Sequence, residues 1–87
     1  MNLKQKALKL GATAFGSSRR KYKKYYVIYQ SKEIHFGDNR YEDYTMHKDI
    51  ARRRRYRARA SKIKDKQGRL TYKLKSSPNF WAFNLLW

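Results

Sequence analysis

At 87 residues and a formal net charge of +17, the chain has room for one small domain and carries too much like charge to work without a counter-charged neighbour. Cysteine is absent, which excludes disulfides and thiolate metal sites, and His35 and His47 alone are too few imidazoles for a structural zinc. No apolar run approaches about 18 residues, so no membrane-spanning helix is expected, and Lys9 interrupts the one apolar stretch near the start, which argues against a signal peptide.

The charge is placed unevenly. Residues 1–32 carry nine Lys/Arg and no acid, residues 50–87 carry twelve against Asp65 alone, and residues 33–49 hold the other five acids against Arg40 and Lys48. The middle is therefore the expected self-folding unit. Both flanks are expected to be extended basic arms. The implied boundaries are 1–24 for an arm with a short amphipathic helix, 25–63 for a folded module, and 64–87 for an extended arm ending in an aromatic helical tail.

In chain order, Leu3, Ala7, Leu10 and Ala14 mark one face of a short helix that Gly11 and Gly16 limit. Gly16 to Lys24 reads as a linker turning into a basic run. Tyr25-Tyr26-Val27-Ile28-Tyr29-Gln30 is rich in β-formers and predicts a strand. Ser31-Lys32 is the expected turn, Glu33-Ile34-His35-Phe36 the second strand, and Gly37 to Arg40 its end. A hairpin alone is marginal, so a cover is required. The next helix is the expected cover. It is predicted over Thr45 to Lys62, with Asp43 or Thr45 as cap and Tyr56, Ala60 and Ile63 as its apolar stripe. Arg52, Arg53, Arg54, Arg55, Arg57 and Arg59 surround that helix and repel one another unless counter-charges lie near. Asp65 to Arg69 is a turn, and Leu70 to Lys75 is a short strand or extended arm. Ser77-Pro78 has the form of a helix start before Phe80-Trp81-Ala82-Phe83-Asn84-Leu85-Leu86-Trp87. So apolar a segment either fills the domain's core or plugs a partner's groove.

Glu33, His35, Asp38, Glu42, Asp43, His47 and Asp49 form the densest set of chemically capable side chains, and a metal-dependent nuclease is one reading of them. They follow no recognised ligand spacing, and neutralising the Arg helix is the stronger reading. No nucleophile arrangement or phosphate-cradling glycine loop stands out, so no enzyme activity, cofactor or small-molecule substrate is expected. Tyrosines interleaved with basic residues could stack on unpaired bases, and nothing marks base-specific readout.

The segments Ile34-His35-Phe36-Gly37-Asp38, Tyr41-Glu42-Asp43-Tyr44-Thr45-Met46-His47-Lys48-Asp49, Arg53 to Tyr56 with Arg59, and the closing Phe80-Trp81 and Leu85-Leu86-Trp87 resemble a family of small basic proteins encoded by large eukaryotic double-stranded DNA viruses. The likeness spans residues 24–60 and the last eight, and it departs at Ala60, where relatives often carry histidine. It implies a virion setting. The expectation is thus a small α+β protein, a hairpin packed on an Arg-rich helix with basic arms. Its expected role is a minor capsid or cement protein that docks on acidic surfaces of larger capsid proteins through Arg52, Arg53, Arg54, Arg55, Arg57, Arg59, Phe80, Trp81 and Trp87. The alternative is a nonspecific nucleic-acid-binding protein packaged in the virion; an anionic membrane surface is a further candidate partner.

Overall fold

The computed structural model of the chain describes residues 2–87. Asn2 and Gln5 satisfy each other's backbone N–H groups in a capping box, at 2.8 and 3.0 Å, and so start helix α1 (Leu3–Lys9). Gly11, at φ +110°, turns the chain out of α1 sooner than the apolar pattern suggests. Ala14 then opens a strand, β1 (Ala14–Ser17), across the end of the expected helix pattern and the start of the expected linker. Gly16 reads as a breaker, yet packing requires it. A Cβ there would lie 2.8 Å from the Tyr26 ring.

Strands β2 (Lys23–Tyr29) and β3 (Lys32–Asp38) complete an antiparallel sheet of order β1-β2-β3. Tyr29 pairs with Lys32 across Gln30 and Ser31, which sit at φ 50° and 63°. This is the two-residue turn whose twist matches the strands, one residue earlier than the sequence suggested. The single helix expected from Thr45 to Lys62 is two helices, α2 (Tyr44–His47) and α3 (Ile50–Ala60). Both nearby aspartates act as caps: Asp43 accepts from the Thr45 N–H, and Asp49 accepts from those of Ala51 and Arg52. Lys48, in the left-handed region at φ 57°, makes the turn that lets each cap work. A 3₁₀ turn at Thr71–Lys73 replaces the expected strand or extended arm. Helix α4 (Pro78–Leu85) starts as its sequence suggests, with the Ser77 hydroxyl accepting from the Asn79 N–H.

The core lies on one sheet face. Val27, Ile34 and Phe36 alternate inward and pack against Trp81, Phe80, Leu85 and Leu86 of the C-terminal segment, with Ala7 and Ala12 from the N-terminal one. Trp81 has no exposed surface, and its indole N–H donates to the Lys75 carbonyl at 2.7 Å. The cover of the hairpin is therefore chiefly α4 and not the Arg helix. The flanks are not extended arms either, because their apolar residues complete a core that the middle cannot close by itself. The result is a small α+β fold.

Trp81→Ala should lower the unfolding free energy by about 3–5 kcal/mol. Removing residues 78–87 should abolish the cooperative urea transition, whereas a truncated chain that still melts cooperatively would contradict this account of the core.

Candidate functional site

Five of the six arginines of α3 divide between two jobs. Arg53 and Arg57 are one turn apart and face α4. Arg53 Nε donates to the Trp87 carbonyl at 2.6 Å, and its guanidinium lies 4.9 Å from the Tyr44 ring centre. Arg57 sits 4.0 Å over the Phe83 ring, with a long contact of 3.4 Å from its Nη1 to the Phe83 carbonyl. Phe83 lies in the last turn of α4 and Trp87 just past its end, where carbonyls have no partner within the helix and favour cations. Burial, with the nearby charge of Arg53 second, pulls the Arg57 pKa down. Tyr56 completes the contact by stacking on Trp87, centroids 4.3 Å apart at 10°. Burial raises the Tyr56 pKa.

Arg52, Arg55 and Arg59 instead border a cleft of about 1020 Å³ between α3, α4 and the end of β3 with its following loop. Tyr56, Ala82, Leu86 and Trp87 are among its apolar lining. Three acids line it too, and each is engaged. Asp43 pairs with Lys24 at 2.5 Å, with 4% and 12% of their side chains exposed. Asp38 takes the Arg40 guanidinium on both oxygens, at 3.0 and 2.8 Å. Glu42 lies 3.7 Å from Arg52. Lys23, Arg55 and Arg59 have no carboxylate partner among the described residues. Tyr41, at the same cleft, is 67% exposed. The Arg40 guanidinium lies 4.1 Å from the Tyr22 ring centre and 5.9 Å from that of Tyr41.

Arg54 is exposed and stands outside the cleft. Phe80 and Trp81 are inside the chain's own core, and Trp87 is half-buried between Tyr56 and His47. The expected set of docking residues is thus separated. Phe80 and Trp81 are occupied by the fold and not free to plug a partner. Arg53 and Arg57 hold α4, and Arg52, Arg54, Arg55 and Arg59 face outward to differing extents.

The histidine and carboxylate set is dispersed. Among the described residues no three His, Asp or Glu side chains converge where a metal ion could be held. His35 is on the sheet face away from the core, between the Glu33 carboxylate at Nε2 and the Ser18 hydroxyl, 2.7 Å from Nδ1. Tyr26 packs beside it, so the arrangement ties the β1–β2 connection to β3. His47 Nδ1 accepts from the Asp49 N–H at 2.8 Å, beside the Trp87 ring.

Sequence reasoning passed over Lys23, Ser18 and Tyr41. Lys23 was one cation in a run, and only the fold puts it opposite α3. Ser18 gave no local signal. Tyr41 had one, an aromatic between Arg40 and Glu42 in a turn, where burial is not expected.

Residues 14–60, more than half of the chain, match the model of a family of unknown function (DUF5754), and the chain belongs to that family. No curated protein and no solved structure matches it.

Hydrogen bonds from the Arg40 side chain and backbone hold Asp38 down at about 2, and backbone N–H groups are the leading cause of lowered values at Asp49 and Asp65. Carboxylates depressed in the folded state favour folding above their unfolded value of about 3.9. That contribution is lost as pH falls through the folded values. The melting temperature should therefore drop between about pH 4 and pH 2. Arg40→Gln should return Asp38 toward an ordinary carboxylate value in an NMR titration, and an unmoved midpoint would contradict the assigned cause.

Proposed function

We propose that the chain is a non-catalytic, nonspecific nucleic-acid-binding protein that works through the outward side of α3. The observation that carries the reading is the free state of Arg54, Arg55 and Arg59. All three are exposed, and none has a carboxylate or carbonyl partner among the described residues. Guanidiniums held on a helix suit phosphate oxygens well, and the net charge of +17 favours any polyanion. The viral setting implied by the sequence likeness makes a packaged genome the natural ligand and the virion the place.

The cement role is the second reading. Its aromatic plug is taken up by the core, but Met46 and Ile50, 62% and 55% exposed at the α2–α3 junction, favour a protein contact there. The arginines would then meet acidic capsid-protein surfaces. A membrane surface has less support, since α1 turns Leu3, Ala7 and Leu10 toward the core.

Replacing Arg54, Arg55 and Arg59 with Gln should lower the slope of log affinity against log salt by roughly 0.7–0.9 for each phosphate no longer neutralised, with melting unchanged. Arg53→Gln with Arg57→Gln should do the reverse, lowering stability and leaving the slope nearly intact. An unaltered slope in the triple variant would reject this face as the binding surface.

A further inference from the structure

We infer that the cleft beside α3 receives unpaired nucleotides, so that the protein favours single-stranded over double-stranded nucleic acid; this rests on the nucleic-acid reading above. Two properties of the cleft point the same way. Its charge is unbalanced in one direction, because Asp38, Glu42 and Asp43 are each engaged by a cation while Lys23, Arg55 and Arg59 remain available. Its lining is also aromatic. Tyr56 and Trp87 cover each other's faces, and Tyr41, 67% exposed beside them, is the ring free to receive a base.

A cationic groove with an exposed aromatic ring at hand is the arrangement that tracks a single-stranded backbone and stacks a base. Duplex bases keep their faces inside the helix and cannot use such a ring, although their phosphates can still meet the arginines. At about 1020 Å³ the cleft is at the upper end of small-ligand sites, room for a short run of nucleotides. Tyr41 is the ring with the most free surface there, and its side chain makes no hydrogen bond among the described residues, so it can be changed without disturbing the core. An acidic peptide would answer the charge, but it gives the exposed ring no flat partner.

Binding of the full chain to an oligothymidylate and to a mixed-sequence duplex of equal length, measured by fluorescence anisotropy at matched salt, tests the inference. The single strand should bind more tightly. Tyr41→Ala should weaken it about fivefold or more, as expected when one base loses its stacking ring, while duplex affinity stays unchanged. Tyr41→Phe should keep the preference, and circular dichroism should show both variants folded. Equal affinities, or a single-strand preference indifferent to Tyr41→Ala, would overturn the inference and leave general nucleic-acid binding standing. Binding to neither probe would overturn both. Polyglutamate that binds as tightly as the oligothymidylate and ignores Tyr41→Ala would overturn the inference and give the cleft to acidic protein.

Discussion

Burial of α4 on the sheet is the interaction from which the other features follow. Trp81, Leu85 and Leu86 close a face that Val27, Ile34 and Phe36 leave open. Packing is close enough that a Cβ on Gly37 would come within 2.8 Å of Leu86 Cδ1, at a φ of +80° that itself favours glycine. Once α4 is in place, the carbonyls of Phe83 in its last turn and of Trp87 just past it become the docking point for Arg57 and Arg53, and the Tyr56–Trp87 stack fixes the rotation of α3. Which arginines point outward is thus decided by a helix that carries no charge of its own.

The acids are all put to use. Asp43 caps α2 and neutralises Lys24, Asp49 caps α3, Asp65 shapes its turn and holds Arg69, and Asp38 holds Arg40. Glu42 lies near Arg52, and Glu33 faces His35. Every acid of the sequence is thereby committed within the fold. The exposed pairs add little stability, because solvent and salt screen them, so local geometry and not attraction is their main contribution. Apart from Arg53 and Arg57, the remaining cations stay on the surface, and the molecule presents a strong net positive charge to its surroundings.

Local chemistry made much of this readable. The hairpin followed from its β-formers, the α4 start from Ser77-Pro78, and the first cap from Asp43; the cap at Asp49 belongs to a helix break that was not foreseen. The parts that were not readable depend on distant partners. β1, Ala14-Phe15-Gly16-Ser17, is too short and glycine-broken to signal a strand by itself; it is one because it pairs with β2, with Phe15 stacked on Tyr25 and Gly16 leaving room for the Tyr26 ring. The break at Lys48 needs two caps to be weighed together, while residue periodicity alone favours one continuous helix. Both basic flanks looked like arms because charge counts overlook the apolar residues that enter the core, Ala7 and Ala12 on one side and the Phe80–Leu86 stretch on the other, whose apolar character was legible but whose place in the core was one of two readings. The arginines looked alike for the same reason. Their division required knowing where α4 lies, and with it where the cleft opens.

The place of α4 in the chain also bears on how the protein is made. During synthesis the sheet can pair as soon as its three strands have emerged, but its apolar face has no cover until residues 78–86 follow. At about 5–20 residues per second, that leaves a few seconds in which Val27, Ile34 and Phe36 are exposed on a partly formed protein. The density of positive charge has a second use in that interval. Nascent copies repel one another, which delays self-association until the last helix arrives to seal the core.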